Sequence, residues 1–174
     1  MSGLSAEKYL DLYKYMVSSR ESDIVESELV NSGEANFLAS SKGHEGSVIV
    51  APYLQSSDFL HCHYRDKALM LARGISSEMF FYSALAKEES HSHGRQMVSH
   101  MSAPELNILS IVGPVGNNAL QSAGIAHVIK DNPDNPIVYC AIGDGTSQQG
   151  EVLEAIAEAC RSHLPVLFFI HDNE

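Results

Sequence analysis

The residues with the clearest chemistry are Gly143-Asp144-Gly145. They follow an apolar, β-branched run, Ile137 to Ile142, which reads as a strand. A helical stretch, Gln148 to His163, comes after them. Small residues at the carboxyl end of a strand let backbone N–H groups approach a phosphate, and the following helix N-terminus adds a favourable dipole. Two known phosphate motifs fail here. A dinucleotide fingerprint needs Gly three residues after Gly145, where Gln148 stands. A P-loop needs Lys and then Ser or Thr after its second Gly, but Glu151-Val152 follow Gly150. An aspartate in the loop repels bare phosphate and fits a metal ion lying between the two. Mg²⁺ takes oxygen ligands, commonly one carboxylate plus the phosphates of a substrate. A second protein oxygen is then expected from the neighbouring strand end. After 26 intervening residues come Asp172 and Asn173, at the end of the apolar run Pro165 to Ile170. Adjacent strand ends lie about 5 Å apart, so Asp144 and Asn173 can reach one ion. An ordinary strand-to-helix turn with an unrelated Asn is the alternative reading of this motif alone.

Strand, helix and strand, with both strands apolar on both faces, imply a right-handed parallel βαβ unit. Before it, Leu106 to Val112 is a strand candidate and Asn117 to Lys130 a helix, and residues 131–136 form a turn cluster. At the other end, Ser5 to Asn31 reads as a helix, with Leu10, Tyr13, Met16 and Val17 at helical spacing. Ser5 is its expected N-cap and Gly33 its stop. A second apolar helix is expected over Ser47 to Leu54, a turn at Ser56-Ser57-Asp58, and a short strand or loop over Phe59 to Tyr64. Short helices follow over Asp66 to Arg73 and Ser76 to Leu85, separated by Gly74. Lys87 to Pro104, rich in His, Ser and Gly, reads as a surface loop. The fold class is α/β, as one domain over residues 1–174 with 1–55 as an N-terminal helical region. A parallel sheet needs more than two or three strands, and the chain stops at Glu174 just after one. The expectation is therefore a fragment of a longer polypeptide.

With 174 residues and 44% hydrophobic content, the chain is long and apolar enough to build a core. A formal net charge of −11 argues against nucleic acid or an anionic membrane surface as the main partner. No apolar run approaches the roughly 18 residues of a membrane helix. Cys62, Cys140 and Cys160 are widely spaced and form no disulfide framework, which fits a reducing compartment. Met1 to Tyr9 has neither the basic nor the apolar region of a signal peptide. The expected location is cytoplasmic, with an organellar matrix as the alternative.

Gly143-Asp144-Gly145 with Asp172-Asn173 resembles the diphosphate-binding motif of thiamine-diphosphate enzymes, G-D-G and then N-N at the end of the next strand. The first Asn of the pair is Asp here. The second, which ligates the metal in the family, is kept. Further segments sharpen the match to the α-subunit type of the decarboxylating component of 2-oxo acid dehydrogenases, the pyruvate and branched-chain class. Gly43-His44-Glu45-Gly46 resembles its G-H/E-E-G/A helix start, and Tyr64-Arg65-Asp66 its Y-R-D/E motif. Gly94-Arg95-Gln96-Met97 with His100 resembles its G-R-Q/S-M-x-x-H loop. Ile111 to Gly116 resembles the segment that holds the aminopyrimidine ring. The resemblance runs from about Tyr9 to Glu174, with the motifs in family order.

It implies a thiamine-diphosphate-binding fold, a parallel sheet flanked by helices, truncated at the C-terminus. It also implies oxidative decarboxylation of a 2-oxo acid with acyl transfer to a lipoyl group. Asp144 and Asn173 would hold Mg²⁺. Tyr64, Arg65 and His171, with Gly143 and the backbone of Gly145 and Thr146, would hold the diphosphate, and Gly113 and Val115 would meet the pyrimidine. His171 stands where the family has a cationic residue; histidine still donates to phosphate but is only partly charged near neutrality. The third metal contact would lie past Glu174, and Glu174 itself stands where the family has Gly. No proton-transfer residue is assigned to this chain, because the family's lie in a later histidine-bearing loop and in the other half of the site. The implied partners are a beta-type half or subunit and a lipoyl-bearing acyltransferase component in an oligomeric multienzyme complex, and the chain alone is expected to be inactive. The rivals are another thiamine-diphosphate enzyme, such as a transketolase-like one, and a non-catalytic interaction module.

Other residues have simpler readings. His61, His63, His91, His93 and His100, with Cys62, fit no tetrahedral zinc site by spacing. Arg65 has an ion pair with Asp66 or Glu45 as its alternative role. Gly94-Arg95 reads equally as solvated surface. Glu151, Glu154 and Glu158 read as a solvated helix face, and Met16, Met70, Met79 and Phe80 as core.

Overall fold

The computed structural model describes residues 3–173. Glu174 lies outside them. The chain divides into two compact units. One comprises the residues up to Leu54 together with Tyr64–Met101, and the other comprises Gln55–His63 and the residues from Ser102 onward.

The first unit is helical. Helix α1 spans Ala6–Asn31 and contains neither glycine nor proline. Ser5 caps it, its Oγ accepting the Lys8 N–H at 3.3 Å, and Gly33 follows in the left-handed region at φ +81°. The apolar residues fall at helical spacing as read, but most of them face solvent while a polar face is buried. Leu10, Tyr13, Val17 and Ile24 are exposed, while Ser19, Ser22, Asp23 and Glu26 are buried. The polar face is buried because Lys67 pairs with it, as described below. The expected helix over Ser47 to Leu54 is instead a 3₁₀ segment, Glu45–Tyr53, with Pro52 inside it. Proline removes an N–H donor and clashes with the preceding turn, which disfavours a regular α-helix. Helices α2 (Lys67–Arg73) and α3 (Ser77–Ala84) follow, parted at Gly74, φ +121°. A small core of Leu12, Val48 and Ala68 joins α1, the 3₁₀ segment and α2. Met70 and Phe80 are buried, as expected of core residues, and Met16 and Met79 are half-buried.

Residues 87–104 form turns without a regular helix or strand. They are not wholly a surface loop, since Ser90, Ser99, His100, Met101 and Ala103 are buried.

The second unit is α/β. Strands β1 (Phe59–His61), β2 (Val138–Gly143) and β3 (Val166–His171) form a parallel sheet in that order. The turn over residues 56–58 precedes β1, and Asp58 secures it: its carboxylate accepts the N–H groups of Gln55 and Ile137. Helices α4 (Asn117–Ile129) and α5 (Gly150–Arg161) pack on one face of β2. Ala119, Ala123 and Ala126 of α4 let it approach Val138, Cys140 and Ile142 closely. Asn118 pins the same pair, its Nδ2 donating to the Ala141 carbonyl at 2.8 Å. Strand β2 is buried from Val138 to Ile142, whereas Leu167 and Ile170 leave β3 half-exposed.

Two expected elements differ. Leu106 to Val112 is not a strand. Asn107, at φ +55°, closes a 3₁₀ turn over Pro104–Leu106, and only Ile108 bridges, to Leu60 and Ala103. Helix α5 starts at Gly150, because a separate 3₁₀ turn, Thr146–Gln148, comes first. No helix among the described residues is long and apolar enough to cross a membrane.

Candidate functional site

Strand β2 ends at Gly143, which pairs in register with His171 of β3. The ladder continues one step further, where the Asp144 N–H donates to the His171 carbonyl at 3.0 Å. Asp144 therefore leaves the sheet beside the chain that runs on to Asp172 and Asn173. All three are exposed, and they present oxygen donors of the hard kind that suits Mg²⁺ or Ca²⁺. The Asp144 carbonyl turns back to accept the Ser147 Oγ–H at 2.5 Å and the Ser147 N–H at 3.1 Å. This closes the loop into the 3₁₀ turn, with Thr146 buried beneath.

The glycines test whether a ligand fits. Gly145 has φ −61° and ψ −36°, a conformation open to any residue. A Cβ there would meet nothing within 4 Å. Gly113 is equally open. Neither glycine is required by its own backbone or by neighbouring atoms, so each leaves space for a ligand to reach the main chain. Gly143 has ordinary contact distance only to Thr146 Oγ1, at 3.4 Å. Gly116 differs: at φ +91° it caps α4, and a Cβ would stand 3.1 Å from Gln149 Oε1. That glycine serves the approach of α4 to the start of α5. Val115 beside it is exposed.

His171 is buried, with the rings of His63 and Phe169 at 5.4 and 5.1 Å from its own. Sequence reasoning named His63 only among possible zinc ligands and missed Phe169; the period of two along β3 puts Phe169 on the same face as His171, a signal the sequence offered, whereas no local pattern marks His63, which lies just past β1. His61 lies buried with its Nδ1 3.1 Å from Ser122 Oγ. Burial lowers its pKa to about 4, partly offset by a backbone hydrogen bond with Ser110.

In the helical unit, Tyr64, Arg65 and His100 come together. The Tyr64 and His100 rings stack at 5.9 Å and 12°, and the Arg65 guanidinium lies 4.8 Å from the Tyr64 ring centre. Arg65 Nε–H donates to the Ser40 carbonyl at 3.2 Å. Of the two ion-pair alternatives for Arg65, Asp66 and Glu45, Glu45 pairs with Arg20, at 2.5 Å. Burial opposes charge on Glu45, but hydrogen bonds from Arg20 and Gly43 outweigh it and hold its carboxyl below the usual range. His100 Nδ1 faces the Val98 carbonyl at 2.9 Å; a carbonyl only accepts, so this nitrogen carries a proton. His91 Nε2 likewise donates to Gln96 Oε1 at 2.5 Å. Gly94 has φ +72°, and a Cβ there would fall 2.5 Å from the Ala86 carbonyl oxygen. Its glycine is thus set by the loop's own packing, while Arg95 and Met97 beside it are exposed.

Glu151 and Glu154 are exposed as expected, but Glu158 is not merely a solvated residue. Hydrogen bonds from Ser162, His127 and Arg161 lower its pKa to about 2.

A parallel α/β sheet that carries a small-residue loop and an exposed carboxylate at one strand end, with an amide at the next, is an open α/β protein of the kind that binds ligands at the carboxyl ends of its strands. The family described as dehydrogenase E1 component matches residues 13–174, and the chain belongs to it. The chain is 28% identical over 175 residues to the 2-oxoisovalerate dehydrogenase subunit alpha of Bacillus subtilis, covering 99% of this chain and 53% of that one. Against the mitochondrial 2-oxoisovalerate dehydrogenase subunit alpha of Caenorhabditis elegans it is 29% identical over 168 residues, 94% and 38% of the two chains. Against the pyruvate dehydrogenase E1 component subunit alpha of Staphylococcus aureus (strain Mu50) it is 28% identical over 172 residues, 98% and 44%. The chain thus spans about half or less of the length of these curated relatives.

Proposed function

We propose that this chain supplies the diphosphate- and magnesium-binding part of the decarboxylating component of a 2-oxo acid dehydrogenase, as an alpha-type subunit. The observation that supports it most is the register of β2 and β3, which sets Gly143-Asp144-Gly145 beside Asp172-Asn173. Asp144 and Asn173 hold Mg²⁺ through oxygen. The Gly145 and Thr146 N–H groups, at the opening of a 3₁₀ turn where amides have no partner within the turn, donate to the diphosphate. Arg65 adds a fixed positive charge and Tyr64 a phenol donor, while His171 donates from a buried position. The backbone of Gly113 and the apolar side chain of Val115 orient the aminopyrimidine. Thiamine diphosphate, when bound, supplies the electron sink for loss of CO₂ from a 2-oxo acid. The role of this chain is to bind and orient, and proton transfer belongs to residues outside it. The proposed partners are a beta-type subunit and a lipoyl-bearing acyltransferase component of a multienzyme complex, working in the cytoplasm or an organellar matrix.

The test is to assay the chain alone and with a beta-type subunit, supplying thiamine diphosphate, Mg²⁺ and an artificial electron acceptor. The expected result is no turnover of pyruvate or 2-oxoisovalerate by the chain alone, and Mg²⁺-dependent binding of thiamine diphosphate when the partner is present. Turnover of a sugar phosphate instead would select a transketolase-like enzyme. Partner binding without any cofactor binding would select an interaction module.

A further inference from the structure

Lys67 is fully buried on the first turn of α2, two residues after Arg65. Its Nζ meets Asp23 Oδ1 at 2.5 Å and Glu26 Oε1 at 2.8 Å, both on the buried face of α1. The second Asp23 oxygen, Oδ2, accepts the Ser40 Oγ–H at 2.8 Å and the Ser41 N–H at 2.5 Å. The Ser40 carbonyl in turn accepts Arg65 Nε–H. The bonds run without a gap from Glu26 through Lys67, Asp23 and Ser40 to Arg65.

Stability alone does not call for such a group. Three ionisable side chains in a core cost desolvation, and apolar replacements of buried ion pairs are often neutral or stabilising. Burial also raises the pKa of Glu26, against the pull of Lys67. A directional network does what apolar packing does not: it holds one main-chain carbonyl at one place. Here that carbonyl belongs to Ser40, and it fixes Arg65 at Nε while the Tyr64 ring fixes the guanidinium plane.

We propose that Asp23, Glu26 and Lys67 are positioning residues that act through Ser40 to hold the Arg65 guanidinium ready for a diphosphate. This rests on the reading of Arg65 as a diphosphate ligand given above.

The experiment uses the full chain labelled with ¹⁵N-arginine, the Arg65 Nε–H signal being assigned with Arg65→Met. Asp23→Asn should move that signal to the position of solvated arginines and speed its exchange. In titrations with inorganic pyrophosphate and Mg²⁺, Asp23→Asn should raise Kd by roughly tenfold, the size of one lost hydrogen bond to a charged group. In the Arg65→Met background the same substitution should add nothing, since the two act through one contact. Ser40→Ala, at a half-buried position, should shift the signal the same way by less, and it decides the matter if Asp23→Asn does not fold. An Arg65 signal unmoved in the folded variants, even with a lowered Tm, overturns the proposal, as do fully additive losses. If Arg65→Met binds pyrophosphate as tightly as the unaltered chain, the diphosphate reading of Arg65 fails. The proposal then falls with it, whatever the signal does.

Discussion

The backbone N–H of Asp144 bonds the carbonyl of His171, one step beyond the last paired residues of β2 and β3. The loop is therefore attached to the sheet by main chain, and the Asp144 side chain is left in solvent. The fold does not depend on that carboxylate. Asp144→Asn should leave the urea unfolding free energy within about 0.5 kcal/mol, as for an exposed substitution. It should also lower the Mg²⁺-dependent part of thiamine diphosphate affinity by about tenfold or more. Calorimetric titration with and without Mg²⁺ separates the two effects. A magnesium dependence that survives the substitution would remove Asp144 from the metal site.

Gly94 and Gly33 both have positive φ, but only Gly94 meets an obstacle, the Ala86 carbonyl. Gly33→Ala should cost the strain of a left-handed residue, roughly 1–2 kcal/mol. Gly94→Ala adds a clash with backbone and should cost about 3 kcal/mol or more. Urea denaturation of the two variants side by side makes the comparison. Equal losses would mean that the loop yields, and that its packing does not set the glycine.

The parts of the fold that were legible in the sequence are those written in local pattern. Ile137 to Ile142 is apolar and β-branched and bounded by a turn cluster and a glycine loop, so β2 and its ligand-bearing end could be placed from residues alone. The Asp23–Glu26–Lys67 group could not, because the partners lie 44 and 41 positions apart and α1 shows an apolar repeat that turns out to be exposed. The strand expected over Leu106 to Val112 is broken at its start by the left-handed Asn107, whose conformation no periodicity reveals, and beyond it only Ile108 bridges. In the histidine-rich segment the composition reads as loop, and it is one. His100 is buried there because it stacks on Tyr64, a contact between residues far apart in the chain.

The three cysteines differ in environment. Cys160 is exposed, while Cys62 and Cys140 are buried. Burial raises the Cys140 thiol to about 11, partly opposed by a hydrogen bond with Ser122. The thiolate is the reacting form. Iodoacetamide at neutral pH should therefore label Cys160 first and reach the other two only on unfolding. Peptide mass mapping over time gives the order. Labelling of Cys140 at a rate matching Cys160 would show that α4 and β2 separate readily.

His61 sets a pH dependence whose sign is fixed by its burial. Its folded pKa, about 4, lies below the ordinary value of 6.5. As pH falls through 6.5 the unfolded chain takes up a proton that the folded chain refuses until about pH 4. The stability linked to neutral His61 is thus complete above pH 6.5, declines between 6.5 and 4, and changes no further below. A gap of this size corresponds to about 3 kcal/mol. Urea unfolding measured across the same range should show this decline in the unaltered chain. His61→Gln, which keeps a polar group for Ser122 but cannot titrate, should lose that part of the slope. Parallel slopes for the two proteins would mean that His61 takes up its proton in the fold at the same pH as in the unfolded chain, near the ordinary value of 6.5, so that its burial sets no pH dependence.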